Sequence, residues 1–346
     1  MRTMTEKRIP QADLGRFLER LQARGEVYAP ARDAVASTWD ASGDVALVKG
    51  PPAESVVLEY RNFRLPPKAF FMPQSQTLLR FNGASVEEPA LPEQEVFLFG
   101  VRPCDARALL ALDRIFLEGE QLDPYYARLR AKTSVIALAC AHPLSSCFCT
   151  SVGGAPGDGT GADVLAVALD DDLLLRAETA KGEGLLSSVG DVLADAAPAA
   201  VRGARERARD AEEQIAPVEL SAAAEHLGAG YDLPLWEAAG RRCLGCGACS
   251  FLCPTCHCFD ITDELRNGSG RRVRTWDCCA YPLFTLQASG HNPRPTPKER
   301  WRQRIMHKFR YAVETAGQVF CVGCGRCIRN CPAGMDLRTT LKEVGA

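Results

Sequence analysis

Eight of the sixteen cysteines in this chain fall into two copies of one spacing. The first copy is Cys243-Leu-Gly-Cys246-Gly-Ala-Cys249-Ser-Phe-Leu-Cys253-Pro254, and the second is Cys321-Val-Gly-Cys324-Gly-Arg-Cys327-Ile-Arg-Asn-Cys331-Pro332. Each reads C-x2-C-x2-C-x3-C-P, the run that holds a bacterial-type [4Fe-4S] cluster. Two short spacings turn the backbone around one cubane, so three thiolates of a run bind the same cluster. The fourth, followed by a proline that redirects the chain, ligates the other cluster. The spacing therefore predicts one cluster on Cys243, Cys246, Cys249 and Cys331, and a second on Cys321, Cys324, Cys327 and Cys253. Structural zinc is served by two paired CxxC units and does not need an eight-thiol ladder. Such a pair of clusters moves electrons one at a time.

Four more cysteines stand near the ends of predicted strands. Glu95–Gly100 and Thr133–Ala139 are short apolar runs, and Ala106–Leu117 between them has a helical stripe of Leu109, Leu110, Leu112 and Phe116. Strand, helix, strand is the pattern of a parallel α/β unit. Cys104 follows the first strand, and Cys140, Cys147 and Cys149 follow the second. In a parallel unit both loops leave at the carboxyl edge, where ligands collect. A third iron–sulfur cluster on Cys104, Cys140, Cys147 and Cys149 is expected there. The glycine-rich Gly153–Gly161 lacks the Lys-Ser/Thr ending of a P-loop and the GxGxxG order. It reads as a flexible cover over the cysteine site.

The rest of the chain must position these groups. Residues 11–24 form an amphipathic helix with Leu14, Phe17, Leu18 and Leu21 inward, and 45–48 and 55–60 read as strands. Residues 163–177 alternate like strands, and helical segments run on to about 228, with Arg202–Gln214 a solvated face. A composition shift at Gly228-Ala-Gly230 places the boundary near 232. The expected organisation is an α/β domain over 1–232 and a mostly α-helical, ferredoxin-like 2[4Fe-4S] domain over 233–346. Within the latter, a helix over Pro297–Thr315 turns Trp301, Ile305, Phe309 and Val313 inward. Its basic side, Lys298, Arg300, Arg302, Arg304, Lys308 and Arg310, reads as a solvated face, with docking of an acidic partner the alternative. Cys256, Cys258, Cys278 and Cys279 read as packed thiols and not as a further metal site.

Composition narrows the function. With 346 residues and a net charge of −2, the chain has a sizeable core and no basic surface for nucleic acid. Sixteen cysteines in so long a chain, half of them demanding reduced thiolates, fit a reducing cytoplasm in a low-oxygen niche. No run is long enough to span a membrane, and Met1–Arg8 leads into an amphipathic helix and not a signal core. The five histidines form no Ser/His/Asp or Cys/His constellation, and His142, His257, His291 and His307 read as structural.

Several stretches resemble a known family: Phe99-Gly-Val-Arg-Pro-Cys-Asp105, Cys147-Phe-Cys-Thr-Ser-Val-Gly-Gly154 and Cys253-Pro-Thr-Cys-His-Cys-Phe-Asp260. Arg274-Thr-Trp-Asp277, Gly290-His-Asn-Pro-Arg-Pro295 and the closing cysteine run do so too. The family is that of the iron–sulfur electron-transfer subunits shared by anaerobic sulfite reductases and sulfhydrogenase-type NiFe hydrogenases, the β chain in the latter. The resemblance covers nearly the whole chain and is weakest over 165–235. It implies a protein without its own active site. Such a chain passes electrons between a flavin-bearing, NAD(P)H-linked flavoprotein and a catalytic partner holding sirohaem or nickel–iron. Against it stands an N-terminal domain that is itself a flavin- or deazaflavin-dependent oxidoreductase, although no dinucleotide fingerprint is present. An iron–sulfur regulatory sensor would need a helix-turn-helix or a basic patch, and neither is read.

Overall fold

The computed structural model describes residues 4–32, 45–91 and 93–345. Along the chain the strands are β1 (Glu6–Pro10), β2 (Gly25–Arg32), β3 (Val45–Lys49), β4 (Ser75–Asn82), β5 (Ser85–Glu87) and β6 (Glu95–Val101). They continue as β7 (Thr133–Leu138), β8 (Val164–Ala168), β9 (Asp172–Ala177), β10 (Ala194–Asp195), β11 (Phe259–Arg266) and β12 (Ser269–Trp276). The described residues form two compact units. One comprises 1–67, 92–217 and 322–324, and the other 68–91, 218–321 and 325–346. Against the single boundary expected near 232, the chain changes unit at 217/218 and exchanges two further segments, 68–91 and 322–324.

The first unit is built on an eight-stranded mixed sheet in the order β10-β1-β9-β8-β7-β6-β2-β3. Its centre, β2-β6-β7-β8, is parallel, and both flanks are antiparallel. β6 and β7 are buried along almost their whole length, which is why they read as unbroken apolar runs and not as alternating ones. One face is covered by the helix Leu14–Gln22, whose Leu14, Phe17, Leu18 and Leu21 pack with Ile9, Phe97, Phe99, Ile136 and Leu186. The strand expected over 55–60 does not form. That segment makes one isolated bridge, Ala31 to Val56, and then turns its carbonyls inward. Arg102 is the cause: its guanidinium donates to the carbonyls of Leu58, Tyr60 and Arg61 and lies over the Tyr60 ring. Carbonyls committed to a buried cation are lost to a strand ladder.

The second unit is mixed, a sheet standing beside the helices expected there. β11 and β12 form a long hairpin, and β4 and β5 extend it to a four-stranded antiparallel sheet ordered β11-β12-β4-β5. The Trp276 indole anchors the sheet by donating to the Met72 carbonyl at 2.8 Å. Helices Ala223–Ala229 and Leu235–Arg242 pack on the long helical stretch that starts at Pro297, and Leu337–Val344 packs on those two. That stretch is not one regular helix. It runs as an α-helix over Pro297–Met306, opens into a π turn over His307–Tyr311 and closes as Ala312–Ala316. Trp301, Ile305 and Phe309 are buried as expected. Beyond the π turn the buried residue is Ala312, and Val313 is half-buried. Among the described residues, no helix is long and apolar enough to cross a membrane.

Candidate metal centres

Both cysteine runs begin with the same backbone. The glycine before each second cysteine is left-handed, Gly245 at φ 66° and Gly323 at φ 63°, and so is the one after it, Gly247 at φ 77° and Gly325 at φ 71°. Two such reversals in close succession curl the chain around a centre, at a steric cost that glycine alone avoids. Each run then makes one short helical turn, Ala248–Phe251 or Arg326–Arg329.

Within the second unit, Cys243, Cys246 and Cys249 of the first run line a hollow of about 390 Å³, open space included. Cys331 of the second run lines the same hollow, and so does Cys327. The remaining lining residues, among them Leu244, Ala280, Trp301, Pro332 and Met335, carry no charge. The structure thus brings together all four members of the first expected set. Among the described residues, no three Cys, His, Asp or Glu side chains converge closely enough to share one metal ion. Thiols ringing a hollow suit the cubane that the spacing calls for.

The second expected set is divided. Cys253 and Cys321 both act on the charge of Lys308, Cys327 lines the hollow just described, and Cys324 belongs to the first unit. The surroundings of Cys253 were missed by sequence reasoning. Half of the helix face expected to be solvated is buried: Arg304 is 3% exposed and Lys308 4%, and Lys68 joins them at 3%. Arg304 donates to the Cys256 sulfur at 3.4 Å, the Ser250 hydroxyl at 3.2 Å and the Cys249 carbonyl at 2.6 Å. Lys308 donates to the Thr255 hydroxyl and the Phe320 carbonyl, both at 2.9 Å. Lys68 donates to the Cys256 carbonyl at 2.7 Å and faces the Trp276 ring at 4.1 Å. Among the described residues none of the three meets a carboxylate, and the Arg304 Nε is buried without a hydrogen-bond partner. Three cations so placed call for an anion.

The nearest candidate is Cys253. The Cys256 thiol donates to it, and, against the effect of burial, Lys308, Arg304 and Lys68 attract its negative charge; together they hold its thiol well below the usual range. A thiolate at neutral pH is what a metal ligand must be. Burial alone would lower Lys308 and Arg304, but the surrounding thiolates outweigh it and raise both. The thiols of the first hollow, and the buried cations beside Cys253, therefore fit anionic iron–sulfur clusters. Cys256, Cys258, Cys278 and Cys279 gather at the base of the β11–β12 hairpin, where the Asp277 amide donates to the Cys258 carbonyl at 3.1 Å. Cys278 is fully buried, and burial pushes its thiol up to about 12.

The first unit holds its own thiol-lined hollow, about 450 Å³, at the carboxyl edge of β6 and β7. The helix after β6 begins at Pro103 and not at 106, so Cys104 lies on its first turn. Pro at N1 fixes that start. Cys104, Cys140, Cys147 and Cys149 all line the hollow, and Cys324 lines it too, a participant that the first-unit sequence does not announce. Cys324 packs with Cys104 and Ala108, and its carbonyl accepts from Asn62 at 3.1 Å. The Phe148 amide donates to the Gly323 carbonyl at 2.9 Å, which seats that short segment against the cysteine loop. Arg102, 3% exposed, borders the hollow and spends its hydrogen bonds on carbonyls, including Ala139 at 2.6 Å. Burial pushes Cys149 up to about 12, with Cys147 and Cys140 adding to it, and it raises Cys140 despite the pull of Arg102. The glycine-rich segment is packed, not loose. The Cys140 amide donates to the Pro156 carbonyl at 2.9 Å, and a Cβ on Gly161 would sit 2.3 Å from the Ala106 carbonyl oxygen.

Residues 242–335 match the 4Fe-4S dicluster domain family. The molecule is thus an iron–sulfur protein of electron transport and an oxidoreductase subunit, its dicluster domain indicating two [4Fe-4S] clusters. It is 31% identical over 333 residues to the sulfhydrogenase 2 subunit beta of Pyrococcus furiosus, a match covering 95% of each chain. The chain belongs to the family of iron–sulfur electron-transfer subunits that includes sulfhydrogenase-type β chains and their counterparts in anaerobic sulfite reductases.

Proposed function

We propose that this chain is a relay subunit without an active site of its own. It takes electrons from a flavoprotein linked to NAD(P)H and passes them to a catalytic partner of the hydrogenase or sulfite reductase type. The observation that carries this reading is the convergence of Cys331, from one run, on the hollow lined by Cys243, Cys246 and Cys249 of the other. Cross-ligation of that kind ties two redox centres into one short path. Motif spacing assigns the first cluster to Cys243, Cys246, Cys249 and Cys331, and the second to Cys321, Cys324, Cys327 and Cys253. Bound clusters supply one-electron redox chemistry, and ligand identity, hydrogen bonds to sulfur and burial set their potentials.

A third cluster on Cys104, Cys140, Cys147 and Cys149 adds a further redox centre to the relay. Its support is the thiol-lined hollow and the buried Arg102 beside it, which offers an anionic group a counter-charge. The chain's own residues hold the centres, shield them from water and provide those counter-charges.

Anaerobic affinity purification of the full chain from its host, with mass spectrometry of what accompanies it, tests the reading. A flavoprotein together with a nickel–iron or sirohaem protein is expected. Recovery of the chain alone, with a flavin of its own, would overturn the relay in favour of an enzyme.

A further inference from the structure

The two halves of the dicluster site differ in charge. None of the residues lining the hollow of Cys243, Cys246, Cys249 and Cys331 is charged. Around Cys253 stand Lys68, Arg304 and Lys308, all nearly inaccessible to water, and among the described residues none of them meets a carboxylate. Three cations without a carboxylate among the described residues are among the most costly groups to bury, so an apolar side chain at any of these positions would relieve the fold. Their arrangement makes sense only if a negative group occupies their centre.

We propose that Lys68, Arg304 and Lys308 are the fixed counter-charges of the cluster at Cys253, and that they set its reduction potential above that of the cluster bounded by Cys243, Cys246, Cys249 and Cys331. The inference rests on the relay reading and adds an order to it. Reduction adds one negative charge to a cluster. A fixed positive charge nearby stabilises the reduced form, and it does so strongly where water is excluded. Arg304 is shared between the halves, because it donates to the Cys249 carbonyl as well as to the Cys256 sulfur. Lys308 is held by Thr255, whose hydroxyl lies 3.2 Å from the Cys253 sulfur, and Lys68 by the Cys256 carbonyl. These two lysines therefore act on the Cys253 side, and they are positioning residues, since they touch the protein around the centre. The pair is graded: at rest an electron resides on the Cys253 side.

The experiment is a potentiometric titration of the anaerobically reconstituted full chain, followed by electron paramagnetic resonance. In Lys308→Met, one midpoint is expected to move to more negative potential while the other stays, with iron content unchanged. Lys308→Arg, which keeps the charge, should restore the wild-type midpoint. Should Lys308→Met assemble no iron, Lys68→Met carries the same expectation. Unmoved midpoints in an iron-replete Met variant would overturn the inference alone, as would an equal shift in Lys308→Arg and Lys308→Met. Wild-type chain that takes up no iron would overturn the relay reading and the inference with it.

Discussion

The two thiol-lined hollows are built in opposite ways. In the first unit, the thiols are presented by a rigid frame: Cys104 on the first turn after β6 and Cys140 just past β7, at one edge of a buried parallel sheet. In the second unit, the thiols of Cys243, Cys246 and Cys249 are carried by a tight backbone curl with left-handed glycines at Gly245 and Gly247. A sheet edge positions side chains through hydrogen bonds made elsewhere in the fold. A curl positions them through its own torsions and depends on what it wraps. The charge environments differ as well. In the first unit Cys140 and Cys149 are raised by burial, with Arg102 opposing it at Cys140, whereas Cys253 is held down by the hydrogen bond from Cys256 together with Lys308, Arg304 and Lys68.

The sharpest way to break this comparison is a glycine substitution in each curl. A Cβ at Gly323 would stand 2.4 Å from the Cys149 amide nitrogen and the Phe148 carbonyl carbon, in a left-handed conformation. Backbone strain and overpacking together should cost Gly323→Ala about 2–4 kcal/mol of stability, read as a lower denaturation midpoint. At Gly247 the nearest atoms belong to the movable Tyr281 ring, so Gly247→Ala should cost about 1–2 kcal/mol. Equal losses at the two sites would mean that the sheet-edge hollow is no more rigid than the curl.

A smaller effect concerns pH. Burial, reinforced by Lys308, His257, Arg294 and Arg304, lowers His307 to about 4. A lowered histidine contributes stability that is complete above its unfolded value near 6.5 and is lost as pH falls through the folded value. Stability of the second unit should therefore decline between about pH 6.5 and 4. In His307→Gln that part of the decline should be missing from acid titrations followed by circular dichroism. An unchanged acid profile would show that His307 is protonated without penalty.

Much of the site was legible because its chemistry is tied to spacing. The two cysteine runs announce themselves, and the apolar runs of β6 and β7 lead to the shared edge that gathers Cys104, Cys140, Cys147 and Cys149. What stayed hidden depends on contacts far apart in the chain. β4 pairs with β12 across more than half the length of the sequence, and Ser75–Asn82 has no alternation of its own to betray it. Val56-Val57-Leu58 has the composition of a strand, but Arg102 claims the carbonyls that follow. A usable signal did exist in the basic helix. Arg304 and Lys308 fall three and seven residues after Trp301, on the stripe that buries Ile305 and Phe309, so their positions mark them as inward-facing. Charged residues are so often solvated that the stripe was read without them.

If the two cysteine runs share their clusters, Cys331→Ala must disturb the cluster of the first run. Cys331 belongs to the second run by sequence and to the hollow of the first by structure. Iron and sulfide analysis with electron paramagnetic resonance of the anaerobic full-length variant should show one [4Fe-4S] signal lost. The surviving signal should be the one whose potential responds to Lys308. Retention of both signals, or loss of the Lys308-sensitive one instead, would contradict the account.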